Sequence, residues 1–115
     1  MGPSVDLKSI RKINAILHER SRLSIVLALV GRDSLSFSEL KALLEMTDGN
    51  LSIHLRTLEE NGYLTTTRSR LSGKRRKICQ LTPEGRLEFE RYLSLLDDLV
   101  HAARSGSNGP PPSPP

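Results

Sequence analysis

Tryptophan is absent, and Phe and Tyr number only two each in 115 residues. None of the four lies between residues 64 and 82, the most cationic stretch of the chain. Stacking on unpaired bases needs aromatic faces beside cations, so a single-stranded nucleic-acid partner is disfavoured. Cysteine occurs once, as Cys79, which forbids an internal disulfide and fits a reducing compartment. The longest apolar run spans residues 25–30 between Arg22 and Arg32, far short of the roughly 18 residues of a membrane helix. The N-terminus lacks a basic region followed by an apolar stretch and a small-residue cleavage site, so the expected location is cytoplasmic. Composition also excludes collagen-like and disulfide-dense scaffolds. A chain of 115 residues with 37% hydrophobic content can bury one core, not two. We therefore expect a single domain over residues 1–104. The Gly-, Ser- and Pro-rich end, residues 105–115, is expected to be a disordered tail.

The net charge of +4 hides strong segregation. Residues 62–83 contain Arg68, Arg70, Lys74, Arg75, Arg76 and Lys77 and no acid, whereas residues 33–61 are net acidic. A block of uncompensated cations points to a polyanionic partner; a merely solvated hairpin is the plainer alternative.

Periodicity gives the elements. Residues 5–17 place Leu7, Ile10, Ile13, Ile16 and Leu17 on one helical face opposite Lys8, Arg11 and Lys12. Ser21 can cap a second helix through Val30 whose apolar residues nearly encircle it, and Gly31 ends it. Ser36 and Glu39 have capping-box spacing ahead of Leu40, Leu43 and Leu44. Thr47 and Asp48 open a further helix with Leu51, Leu55 and Leu58 inward, and Gly62 supplies a left-handed stop. Only residues 45–47 separate these two helices, which is helix-turn-helix spacing over residues 36–61. The β-branched run after Gly62, the Ser72-Gly73 turn and residues 77–81 read as a hairpin over residues 63–82. Thr82 and Pro83 then start a long helix to about residue 103. The expected fold is mostly α with a small β-hairpin: a winged helix-turn-helix with additional N- and C-terminal helices used for dimerisation.

Several strings together resemble the small winged-helix transcriptional regulators of the MarR and ArsR groups. They are Leu17-His-Glu-Arg-Ser-Arg-Leu-Ser-Ile25, Leu35-Ser-Phe-Ser-Glu-Leu40, Thr47-Asp-Gly-Asn-Leu-Ser-Ile-His-Leu-Arg-Thr-Leu58, Glu60-Asn-Gly-Tyr63 and Leu81-Thr-Pro-Glu-Gly-Arg86. The resemblance spans about residues 17–100 and implies a dimeric DNA-binding regulator; it supplies neither operator nor effector. The metal-binding cysteines of the ArsR group have no counterpart, so metal sensing does not carry over.

The residues make the same case physically. At 100° per residue, the outer face of the second helix of the pair holds Gly49, Asn50, Ile53, Arg56, Thr57 and Glu60, with Ser52 on its edge. Small and polar residues at its start, with Thr47, allow close approach to phosphates or base edges. Ile53 is the anomaly: it either meets a thymine methyl in a major groove or packs under the hairpin or a neighbouring loop. Arg56 can reach guanine or phosphate. On the hairpin, Arg68, Arg70, Lys74, Arg75 and Arg76 suit phosphates or a minor groove. The expected DNA-contacting set is thus Thr47, Gly49, Asn50, Ser52, Ile53, Arg56 and Thr57 with these five cations. A winged-helix protein-interaction module is the alternative, but it has no need of this cation block.

The terminal helices carry more apolar surface than one small core needs. Leu7, Ile10, Ile13 and Leu17 of the first, with Tyr92, Leu93, Leu96, Leu99 and Val100 of the last, are the expected interface of a two-fold dimer. His18, His54 and His101 are scattered without metal-ligand spacing, and no phosphate-binding glycine loop or nucleophile motif occurs. No cofactor, metal or enzymatic activity is therefore expected. Cys79 reads as a small buried hydrophobe, the alternative being a thiolate sensitised by Arg76 and Lys77.

Overall fold

The computed structural model describes residues 7–71 and 73–105. The chain runs through a 3-10 helix (Leu7–Lys12), α1 (Arg20–Val30), β1 (Leu35–Ser36), α2 (Phe37–Leu44), α3 (Asp48–Glu60), β2 (Leu64–Leu71), β3 (Lys74–Leu81) and α4 (Pro83–Ser105). The three strands form one antiparallel sheet in the order β1-β3-β2. This is the winged-helix arrangement.

The amphipathic helix expected over residues 5–17 is not an α-helix; the 3-10 helix ends at Lys12. Asn14 supplies the reason. Its Oδ1 accepts from the backbone N–H of Ile16 at 2.9 Å and of Leu17 at 3.2 Å, a local turn that competes with helical bonding. α1 starts two residues earlier than a Ser21 cap requires, because Glu19 caps it by accepting from the Arg22 N–H at 2.7 Å. α1 buries Ile25, Val26, Ala28 and Leu29, but Leu27 is exposed, so the helix is not covered all round.

α2 opens on the expected capping box: Ser36 Oγ accepts from the Glu39 N–H, and Glu39 accepts from the Ser36 N–H, each at 3.0 Å. α2 ends at Glu45 in a left-handed conformation, φ 52°. That reversal and two more residues bring the chain to Thr47, whose hydroxyl caps α3 through the Asn50 N–H. α3 stops in a Schellman motif: Gly62, at φ +77°, donates to Glu59 O and Tyr63 to Leu58 O. α4 is then held against this corner. Thr82 Oγ1 donates to Gly62 O at 2.6 Å and accepts from the Gly85 N–H at 2.9 Å. Gly85 packs so tightly on the Tyr63 backbone that a Cβ would collide with the Tyr63 carbonyl.

The core gathers Leu17, Ile25, Val26, Leu29, Leu40, Leu51, Leu55, Leu58, Leu64 and Cys79, all essentially without exposure, with Phe89 and Tyr92 from α4. Two of the expected interface residues therefore belong to the protomer's own core: Leu17 is 0% exposed and Tyr92 is 4% exposed. Asn14 pulls the chain inward at Leu17, and the Tyr92 hydroxyl lies 2.8 Å from His18 Nδ1. Ile10, Leu93 and Val100 stay exposed, while Ile13, Leu96 and Leu99 are half-buried. The Leu7 side chain, the Ser72 turn residue and residues 106–115 of the expected tail lie outside the described residues, and Ser105 ends α4.

Candidate nucleic-acid interface

α3 turns Leu51, Leu55 and Leu58 into the core, each 0% exposed. That fixes what faces out. Thr47, Gly49, Asn50, Ser52, Ile53, Arg56 and Glu60 are exposed and Thr57 is half-buried. Ile53 is 62% exposed and so does not pack under the hairpin. Thr57 Oγ1 donates to the Ile53 carbonyl at 3.2 Å. Asn50 donates its backbone N–H to Thr47 Oγ1 at 3.2 Å, and its side chain is exposed.

β2 and β3 set the cations against one another. Arg68 pairs with Lys77 and Arg70 with Arg75 directly across the ladder, and Ser69 faces Arg76. Like charges opposite each other destabilise a hairpin. Arg68, Arg70, Lys74, Arg75 and Arg76 are all exposed, and Gly73 turns the chain at φ +75°. Lys77 differs: half-buried, it lies 5.8 Å from the centroid of the Phe37 ring, tying the base of the hairpin to α2.

Hairpin and helices enclose a groove of about 830 Å³ lined by Ser38, Ala42 and Ser52 on the helical side and Arg68, Arg75 and Arg76 on the strand side. A second hollow of about 420 Å³ lies between Ser52, Arg56, Glu59, Glu60 and Lys77. Ser52 and Lys77 border both, so the α3 surface and the hairpin form one continuous face. Glu39 also lines the groove; the Ser36 amide and hydroxyl, with the charge of Arg76, hold its carboxyl below the usual carboxylate range. Glu59 and Glu60 mark the acidic end of α3, away from the small residues that begin it.

A contact the sequence did not suggest steadies α3 from behind. The Arg22 guanidinium donates from Nε to the Ile16 carbonyl at 2.7 Å, and its Nη1 stands 3.2 Å from His54 Nδ1. Glu19 Oε1 lies 3.8 Å from the same ring nitrogen. Burial pushes the Glu19 carboxyl up, but the bond from the Arg22 amide and the charges of His54 and Arg22 bring it below its ordinary value. Arg22 thus links the N-terminal segment, α1 and α3. Cys79 lies under the sheet, opposite Leu35 and Thr66. Burial pushes its thiol up to about 11 against the pull of Lys77, with Glu59 adding to the rise, which removes the sensitised-thiolate reading. Among the described residues, no three His, Cys, Asp or Glu side chains gather to hold a metal. No helix there is long and apolar enough to cross a membrane.

Helix-turn-helix, cationic hairpin and the groove between them define a winged-helix DNA-binding domain. A family model of that description matches residues 21–100, and the chain belongs to this family. It is 39% identical over 72 residues to an uncharacterized protein of Methanocaldococcus jannaschii, covering 63% of this chain and 78% of that one. The structure of a transcriptional regulator homologue from Pyrococcus horikoshii OT3 is similar at a TM-score of 0.79 and 30% identity, over 84% of this chain and 98% of that one. A putative MarR-family regulator from Enterococcus faecalis V583 shares the fold at a TM-score of 0.69 and 22% identity, over 94% and 97% of the two chains. So does MepR of S. aureus, solved as a DNA complex, at 0.67 and 19% identity over 88% and 82%.

Proposed function

We propose that the protein is a cytoplasmic transcriptional regulator that binds duplex DNA as a homodimer and acts by binding rather than by catalysis. α3 enters the major groove, and the β2–β3 wing lies on the backbone or in the minor groove. The observation that carries this reading is the wing's charge geometry. Arg68 opposite Lys77 and Arg70 opposite Arg75 oppose hairpin formation unless an anion lies between or beside them. These cations share a groove with Ser52 of α3, so the anion sits where α3 can read it. The MepR–DNA complex, a structure of the same fold, supports DNA as the kind of partner. Asn50, Ser52, Arg56 and Thr47 are the residues offered to bases and adjacent phosphates, with Arg68, Arg70, Lys74, Arg75 and Arg76 on the backbone.

The test is duplex binding across a salt series. Replacing Arg75 and Arg76 together by Ala is expected to weaken all duplexes alike. The slope of log K against log salt is expected to fall by roughly 0.9 for each phosphate that the variant no longer neutralises. An unchanged slope removes the wing from the interface.

A further inference from the structure

Two residues of α3 carry local costs that nothing in the protomer offsets. Gly49 lies in the first turn, where Ala holds a helix better. A Cβ at Gly49 would meet nothing within 4 Å, and its φ is not in the left-handed region, so neither packing nor a turn calls for glycine. Ile53, one turn later, is 62% exposed, and its branched side chain is a weaker helix former than Ala. At i and i+4 the two share one strip of the helix surface. Asn50 and Arg56, three residues either side of Ile53, are exposed and polar, while the Thr57 hydroxyl is taken up by the Ile53 carbonyl.

A lone exposed apolar side chain ordinarily signifies nothing. Ile53 differs from the exposed Ile10, Leu93 and Val100 by its position. It adjoins Ser52, which lines the groove together with Arg68, Arg75 and Arg76. The groove's cations select a polyanion; an exposed apolar side chain next to Ser52 on α3 can select a feature within it. A phosphate or sugar rim gains nothing from an isoleucine. The major-groove edge of duplex DNA presents one apolar group, the 5-methyl of thymine.

We infer that Ile53 is a specificity-determining residue that contacts a thymine methyl, and that Gly49 keeps the preceding turn clear so that the base-pair edge reaches it. The inference rests on the duplex-DNA reading above and deepens it by naming a base that the site takes.

The full-length protein is first allowed to select duplexes from a randomised pool. Each thymine of the selected site is then replaced singly by deoxyuridine, which deletes only the methyl. One or two thymines per half-site are expected to show a loss of about threefold to tenfold in affinity on replacement, the scale of one buried methyl group. Ile53→Ala keeps a good helix former on an exposed face and is expected to bind the thymine and uracil duplexes equally at those positions. If every thymine tolerates uracil, or if Ile53→Ala retains the same preference, the inference is overturned while DNA binding stands. If Ile53→Ala changes the sedimentation of the free protein and leaves the thymine preference intact, Ile53 serves a protein contact and the inference is again overturned. If no duplex is enriched at all, the DNA reading falls and the inference falls with it.

Discussion

Gly49 is the position where the fold and the proposed DNA contact make opposite demands. The space around it is open and its backbone is helical, so Gly49→Ala is expected to stabilise the protein by about 0.5–1 kcal/mol. The same methyl intrudes on the surface offered to DNA, so affinity for duplex is expected to fall. Thermal unfolding and duplex titration of one preparation check both halves. A variant that is more stable and binds as tightly would leave the glycine without a role in binding. At this scale the sequence is informative wherever periodicity decides. Once Leu51, Leu55 and Leu58 are assigned inward, the exposure of Asn50, Ile53 and Arg56 follows from 100° steps. It is silent where a third element decides. Cys79 has two readings in sequence, and its packing into the core, at 0% exposure, decides between them. The contact of Arg22 with His54 spans 32 residues, and no local pattern announces it.

Elements are legible when their ends carry chemistry. The capping box at Ser36 and Glu39, the Thr47 cap and the Gly62 stop all stand where short-range hydrogen bonding requires them. The N-terminal segment shows the limit. Its apolar spacing is helical, but the Asn14 side chain satisfies the Ile16 and Leu17 amides and takes over from the helix. β1 escapes notice because two residues have no period; its pairing to β3 makes it a strand. The capping box gives a test at this scale. Ser36 is buried and caps α2 at the start of the helix-turn-helix pair, so Ser36→Ala is expected to cost about 1 kcal/mol. Its partner Glu39 has a carboxyl lowered below its unfolded value by the Ser36 bonds. The stabilisation this gives is therefore present above the ordinary carboxylate pKa and is lost as pH falls through the lower, folded one. Unfolding of wild type and Glu39→Gln at neutral and acid pH is expected to show a stability gap that closes on acidification. A gap that widens toward acid pH would contradict the assignment.

The proposed dimer is a matter for the whole molecule, and the structure narrows where it can form. Leu17 and Tyr92 are spent on the protomer's own core. The apolar stripe of α4 divides: Phe89 and Tyr92 turn inward, whereas Leu93 and Val100 are each 47% exposed, with Leu96 and Leu99 half-buried beside them. Leu93, Leu96 and Val100 stand at i, i+3 and i+7, the spacing of a seam that packs against another helix. Ile10, 59% exposed on the 3-10 helix, supplies apolar surface from the other end of the chain. The functional demand is geometric. Two α3 helices related by a two-fold read half-sites about one helical turn apart, near 34–36 Å, so a dimer implies a palindromic site. Leu96 packs partly on the core, and a charge there would confuse unfolding with dissociation. Leu93→Glu combined with Val100→Glu is the cleaner probe, because both side chains are exposed in the protomer. Sedimentation at micromolar concentration is expected to show a dimer for wild type and a folded monomer for the double variant. The variant is also expected to bind a selected palindrome far more weakly, approaching the affinity of one isolated half-site. A wild-type protein that sediments as a monomer, free and on DNA alike, would remove the two-fold and leave each α3 to read a single asymmetric site.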